Sequence, residues 1–304
     1  MSASKSDFHI TVPGKWILAG EHAVLRGCEA LVFPLHSKYL GLDYIQNKND
    51  FQLSVSGENA SDLEMIIWSV FEKALNEVSI KRSELKGELF IHSAISFGAG
   101  MGASATLSVS IAQFFHYLGL LKKEELFVFA KKIEDLFHGE SSGVDVGVAL
   151  YQKPLLYKRG EKIELIEEIQ LPLLSLSYTG VRGVTKDCVH KVKNLFEIDS
   201  QKAQAIDMKM AEAVQILKKS LNHKDSDLWV TGLNQAQSCF EDWGLVPYEA
   251  QKHMSDLKAI GAKANKLTGS GGGGYVLSLW DKKPACAKLN EQQNKLFQEL
   301  IWIE

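Results

Sequence analysis

The chain has 304 residues, 45% of them hydrophobic and 23% charged, with 24 Gly and 6 Pro. That is the composition of a globular protein with a full hydrophobic core, and it excludes disordered, collagen-like and coiled-coil chains. A formal net charge of −3 speaks against an electrostatic nucleic-acid binder.

The opening residues, MSASKSDFHI, are polar and make no secretory signal. No apolar run approaches the roughly 20 residues that a membrane helix needs, so no membrane partner is expected. Cys28, Cys188, Cys239 and Cys286 are far apart and form no C-x-x-C pair. They fit reduced thiols of a cytoplasmic protein better than a disulfide framework or a zinc site.

Taken in chain order, Pro13 to Val24 (PGKWILAGEHAV) reads as an apolar segment interrupted by Lys15, Glu21 and His22 and framed by Gly14 and Gly20, with a tight turn as its plain interpretation. Residues 31–45 and 51–55 read as strands. Apolar residues spaced i, i+3, i+4 from Leu63 to Leu75 predict a helix over 61–78. Residues 88–95 alternate like a strand and run into SFGAGMGASAT, with helices expected over 104–118 and 124–137.

Short strands are expected at 155–158, 162–169 and 173–178. Residues 185–260 are helical in pattern, with breaks near Asp199, His223 and Pro247. Two strands, 264–268 and 275–280, flank Gly269-Ser270-Gly271-Gly272-Gly273-Gly274. A helix from Pro284 and a strand over 296–303 close the chain. Strands and helices interleave without a regular βαβ period, which gives the class α+β. A change from strand-rich to helix-rich sequence near Leu171–Pro172 predicts two lobes, 1–171 and 172–304.

Three stretches carry chemistry in their residue types. Gly98-Ala99-Gly100-Met101-Gly102-Ala103-Ser104 precedes a helix, and glycines there allow backbone N–H groups to approach a phosphate. It is not a Walker A loop, because no Gly-Lys-Ser/Thr follows. Four consecutive glycines after Ser270 exceed what a hairpin turn requires, so that backbone is expected to lie against something large. Glu134 sits near the end of a predicted helix, and Asp145 follows a Ser-Gly turn in the apolar stretch VDVGVAL; a carboxylate so placed is a helix cap or a functional group.

In this order the segments resemble the GHMP family of small-molecule kinases, from Pro13 to Gly274. Gly20-Glu21-His22-Ala23-Val24, with His138-Gly139 and Ser142-Gly143-Val144-Asp145, is most similar to the branch that phosphorylates mevalonate. The resemblance implies a two-lobed architecture, with an N-terminal lobe like ribosomal protein S5 and a helix-rich, ferredoxin-like C-terminal lobe. It implies ATP and Mg²⁺ as cofactors, with transfer of phosphate to the 5-hydroxyl of mevalonate, and leaves open a homodimer.

It further implies Asp145 and Lys15 as the catalytic pair, the one meeting the substrate hydroxyl and the other stabilising charge beside it. Residues Gly98, Ala99, Gly100, Met101, Gly102, Ala103 and Ser104 are implied as the phosphate cradle, and Ser104 and Glu134 as Mg²⁺ ligands. Glu21, His22, Thr185, Gly271 and Gly272 are implied on the substrate side. The chain departs from the family at Ser96-Phe97, where a Pro is usual, and at Ala103, where a Ser is usual. The nearest alternatives are a relative acting on phosphomevalonate or on another small alcohol or sugar, and a non-catalytic ligand sensor of the same fold.

Overall fold

The computed structural model of the chain describes residues 6–57, 60–95, 100–138, 141–161, 163–222, 226–285 and 290–303. Two compact units emerge: unit 1 comprises Met1–Lys15, Pro34–Phe97 and Met101–Gln152, and unit 2 comprises Trp16–Phe33, Gly98–Gly100 and Lys153–Glu304. The expected boundary at 171–172 falls inside unit 2.

Unit 1 begins with β1 (Phe8–Ala19), whose last four residues belong to unit 2, and with β2 (Glu29–Asp50), whose first five do. It continues through β3 (Gln52–Gly57), α1 (Ala60–Glu77), β4 (Lys86–Ser93), α2 (Ala103–Tyr117), α3 (Leu126–His138) and α4 (Val144–Tyr151). Strand β4 pairs antiparallel with β2, from Leu40↔Ser93 to Ile45↔Glu88, and parallel with β3, from Gln52↔Glu88 to Gly57↔Ser93.

Period-2 alternation sets the buried faces: Leu40, Leu42 and Tyr44 on β2, and Leu89 and Ile91 on β4, join the core. Helix α2 is buried along most of its length, hydroxyl-bearing residues included. Its hydroxyls close back on the helix: Thr106 donates to the Ala103 carbonyl at 2.8 Å, Ser108 to Ser104 at 2.9 Å and Ser110 to Thr106 at 2.7 Å. Phe71, Phe114 and Phe115 meet there, with Phe51 stacked on Phe71 at 5.3 Å.

Unit 2 adds β5 (Leu155–Lys158), β6 (Glu164–Leu165), β7 (Leu173–Tyr178), α5 (Thr185–Ile198), α6 (Ser200–Ser220), α7 (Ser226–Asp242) and α8 (Tyr248–Ala259). After these come β8 (Ala264–Thr268), β9 (Tyr275–Trp280), α9 (Glu291–Gln298) and β10 (Ile301–Ile303). The first residues of β2 pair with β5, and β5 pairs with β6. A second sheet runs in the order β10-β7-β9-β8, antiparallel throughout. Gly232 lets α7 approach α6, since a Cβ there would come within 2.6 Å of Leu217 Cγ.

Both units mix sheet and helix as the α+β reading expects. Five elements differ from expectation. Residues 13–19 are not a turn but the buried end of β1, where every residue faces the interior and no alternation survives. Helix α4 was masked in the sequence by its shortness and its uniform apolar run. The 162–169 strand shrinks to Glu164–Leu165. The last helix starts at Glu291, capped by Asn290, which accepts the Gln293 N–H at 2.9 Å while Gln293 accepts that of Asn290 at 3.0 Å. It extends through Gln298 and leaves only Ile301–Ile303 for the strand.

Candidate active site

In unit 1 the buried stretch of β1 delivers Lys15 to the start of α2. The Lys15 N–H donates to the Met101 carbonyl at 3.0 Å, which ties the strand to the glycine loop. Gly102 caps α2 with φ +77°, and a Cβ at that position would stand 2.8 Å from Lys15 Cγ. Glycine is therefore what allows the loop to lie against the lysine side chain. Gly14 serves the same closeness on the strand, where a Cβ would sit 3.1 Å from both the Met101 and the Lys38 carbonyl oxygens.

The Lys15 ammonium lies 3.1 Å from Asp145 Oδ2, with the lysine side chain 6% exposed and the aspartate 27%. Asp145 is the second residue of α4, which Gly143 caps in the left-handed region at φ +87°. A carboxylate in the first turn of a helix is favoured by the aligned peptide dipoles, and here a cation adds to that. Asp145 is thus neither a cap nor a turn residue: it is a helix-borne carboxylate, partly open, paired with a buried lysine.

Ser104, second residue of α2, donates its hydroxyl to Glu134 Oε1 at 2.9 Å. Glu134 itself is 2% exposed on the inner face of α3. A hydroxyl and a carboxylate form a hard oxygen donor set of the kind Mg²⁺ takes while keeping phosphate and water ligands. The amide groups of the first turn of α2 have no acceptor within their own helix, as at every helix start. The glycine cradle and these two oxygens therefore fit a magnesium-bound phosphate chain. Among the described residues no group of three or more His, Cys, Asp or Glu side chains gathers as a metal cluster. Gly98 and Ala99, with Gly139 and the His138 side chain, lie outside the described residues.

Unit 2 holds the other implied residues. Gly20 turns the chain at φ +106°, where a Cβ would meet Ala30 Cα and the Glu29 carbonyl at 2.4 Å. Glu21 is 2% exposed, and its Oε1 lies 2.5 Å from the ammonium of Lys266, which is wholly buried. His22 adopts φ 58° and ψ −50°, and the Ala23 N–H donates to the Glu21 carbonyl at 2.6 Å. That is a γ-turn with positive φ, a rare and strained conformation for a residue with a side chain.

The His22 ring is 5% exposed and packs edge-on against Trp243 at 5.2 Å and Phe240 at 6.3 Å. Its Nε2 lies 2.8 Å from the Ser270 carbonyl, which can only accept, so the proton is on Nε2 and Nδ1 is an acceptor. Burial is the main cause that pulls the His22 pKa down to about 4, against the rise that the Ser270 bond gives. The ring is neutral near pH 7.

Unfolded chain would protonate His22 near 6.5, so this burial favours the fold above pH 6.5 and loses its effect as pH falls toward 4. We expect up to about 3 kcal/mol of stability to disappear over that window through this group. Urea unfolding of wild type and His22→Asn at pH 7.5 and 4.5 checks this, the variant lacking that share of the acid sensitivity.

Thr185, first residue of α5, places its hydroxyl 3.2 Å from that of Ser270. The glycines beyond Ser270 lie against the protein itself, as their number suggests. A Cβ on Gly271 would stand 2.9 Å from Leu245 Cβ, one on Gly272 2.8 Å from Cys188 Sγ, and one on Gly273 2.4 Å from the Val181 carbonyl. The Gly272 N–H donates to Leu245 and that of Gly274 to Val181, each at 2.7 Å. Gly269 packs on Gly100, whose carbonyl oxygen a Cβ would meet at 3.3 Å.

Sequence reasoning did not single out Lys266 or Thr268. The Thr268 hydroxyl accepts the Ile17 N–H at 2.9 Å and donates to the Ile17 carbonyl at 3.0 Å. The sequence gives no sign of them: β8 reads Ala-Asn-Lys-Leu-Thr, and only its burial on both faces shows that the lysine needs an anion.

Residues 65–153 match the family of the GHMP kinases N terminal domain. The mevalonate kinase of Pyrococcus horikoshii is 29% identical over 299 residues, spanning 88% of this chain and 87% of that protein. The L. major mevalonate kinase, solved in complex with R-mevalonate, matches with a TM-score of 0.77 at 22% identity, over 98% of this chain and 92% of that one. Lactococcus lactis galactokinase, solved with galactose, reaches a TM-score of 0.76 at 14% identity, over 97% and 92%. Two near-equal scores for enzymes of different name mean that the fold does not select a substrate. Residues 65–153 thus match the GHMP kinases N terminal domain, and over nearly all its length the chain is similar in sequence and fold to mevalonate kinases.

Proposed function

We propose that the chain transfers the γ-phosphoryl group of ATP to the 5-hydroxyl of mevalonate, with Mg²⁺. The observation that carries this reading is the Lys15–Asp145 pair, 3.1 Å apart, with Lys15 packed against the glycine that opens α2. Phosphoryl transfer demands positioning and charge neutralisation far more than covalent chemistry, and this arrangement offers both. The choice of mevalonate is supported by 29% identity to a mevalonate kinase across most of both chains.

Gly100, Met101, Gly102, Ala103 and Ser104, with Gly98 and Ala99 before them, would cradle the phosphates through their backbone. Ser104 and Glu134 would hold Mg²⁺, which offsets phosphate charge when bound. Asp145 accepts the hydrogen bond of the attacking alcohol and takes its proton as the phosphorus–oxygen bond forms. Lys15 holds Asp145 in place and stabilises negative charge on the reacting oxygen. On the alcohol side, neutral His22 has Nδ1 free to accept from a substrate hydroxyl, which its charge state favours over a carboxylate contact. Thr185 and the Ser270–Gly272 backbone lie in the same unit beside it, and Glu21 supports the turn.

The test is ADP release by purified protein with ATP-Mg²⁺ and one of mevalonate, mevalonate 5-phosphate, galactose or homoserine. Mevalonate should exceed the others by at least about 100-fold in kcat/KM, the scale of roughly 3 kcal/mol in transition-state binding. Turnover of another alcohol with none of mevalonate would remove this substrate.

A further inference from the structure

The Glu21–Lys266 pair sits where no solvent reaches it, and its geometry is more specific than packing requires. Lys266 Nζ bonds Glu21 Oε1 at 2.5 Å and the Ile17 carbonyl at 3.3 Å, and lies 5.3 Å over the Phe240 ring. Phe240 also flanks His22. Glu21 supplies the carbonyl that closes the strained γ-turn at His22, and Ser270, four residues after Lys266, supplies the carbonyl that holds the His22 ring. One stretch, Lys266 to Ser270, thus grips both consecutive residues of the turn. Strained backbone persists only where its surroundings over-determine it.

We propose that Lys266 is a positioning residue: through Glu21 it holds the γ-turn that aims His22, and so sets affinity for the alcohol without entering phosphoryl transfer. The proposal rests on the reading of His22 as an alcohol-binding residue. Two apolar side chains would fill the same volume, and such replacements of a buried ion pair are often neutral or stabilising. They would not fix the direction of Glu21. Stability and positioning can therefore be separated by experiment.

The decisive variant is the double replacement Glu21→Leu with Lys266→Met in the full chain. It should melt near wild type, yet raise KM for the alcohol by at least about 10-fold, with kcat within about 3-fold and KM for ATP within about 2-fold. Its ¹⁵N-histidine spectrum should show His22 as a tautomer mixture, where wild type shows the Nε2–H form alone. Wild-type KM with a single tautomer would overturn the proposal, because a purely structural pair predicts that result. Should the double variant not fold, Glu21→Gln keeps the acceptor oxygen without the charge. It should raise KM about 3-fold or more, and an unchanged KM and spectrum would overturn the proposal equally. The imidazole spectrum needs no substrate, so an error in the alcohol assigned above is told apart from an error here.

Discussion

Replacing Asp145 with Asn should lower kcat by about 10²–10⁴-fold, the range for losing a positioned proton acceptor, and leave both KM values within about 3-fold. Asn has the same shape, so it can stay in the first turn of α4 and still accept a hydrogen bond from Lys15 and from the alcohol. It cannot carry away the proton that the alcohol must lose once its oxygen is bonded to phosphorus. The loss therefore falls on the chemical step and not on binding, the signature of an interaction made in the transition state. Steady-state kinetics with each substrate varied in turn will show it. Near-normal turnover with unchanged affinity would mean that Asp145 is a structural carboxylate held by Lys15 and nothing more.

Gly102→Ala should produce the second large effect, through two separate costs. Alanine at φ +77° pays roughly 1–2 kcal/mol of backbone strain, which appears as lowered folding stability. Its Cβ would also stand 2.8 Å from Lys15 Cγ, an atom near the root of the side chain that cannot swing aside alone. The Lys15 backbone is fixed by its bond to Met101, so the side chain must shift and with it the 3.1 Å contact to Asp145. A displacement of this order commonly costs about 100-fold in rate. Thermal unfolding reads the first cost and kcat the second. A variant destabilised as expected but fully active would show that the lysine's position is not critical.

Much of this arrangement was legible because local chemistry and tertiary placement agree. Residues 185–260 broke near Asp199 and Pro247, as the helices α5, α6, α7 and α8 do, because apolar period and cap residues coincide there. The pairing of Lys15 with Asp145, 130 positions apart, was implied by resemblance alone, since the local sequence sets each residue apart but does not name its partner. What the sequence hid follows from burial on all sides. The end of β1 shows no alternation because both its faces are covered, and α4 shows no helical period because it is short and uniformly apolar apart from Asp145. Lys266 was invisible for the same reason: a lone lysine in a short strand looks like a solvated edge until its partner Glu21 arrives from 245 residues away.

The central claim is that the Lys15–Asp145 site drives phosphate onto one particular alcohol oxygen. Phosphorus–proton correlation NMR on the reaction of wild-type protein with ATP-Mg²⁺ and mevalonate measures this directly. A new phosphomonoester coupled to the protons on carbon 5 is the predicted outcome, absent with Asp145→Asn over the same interval. Ester formation on a different oxygen, or release of inorganic phosphate with mevalonate left untouched, would contradict it.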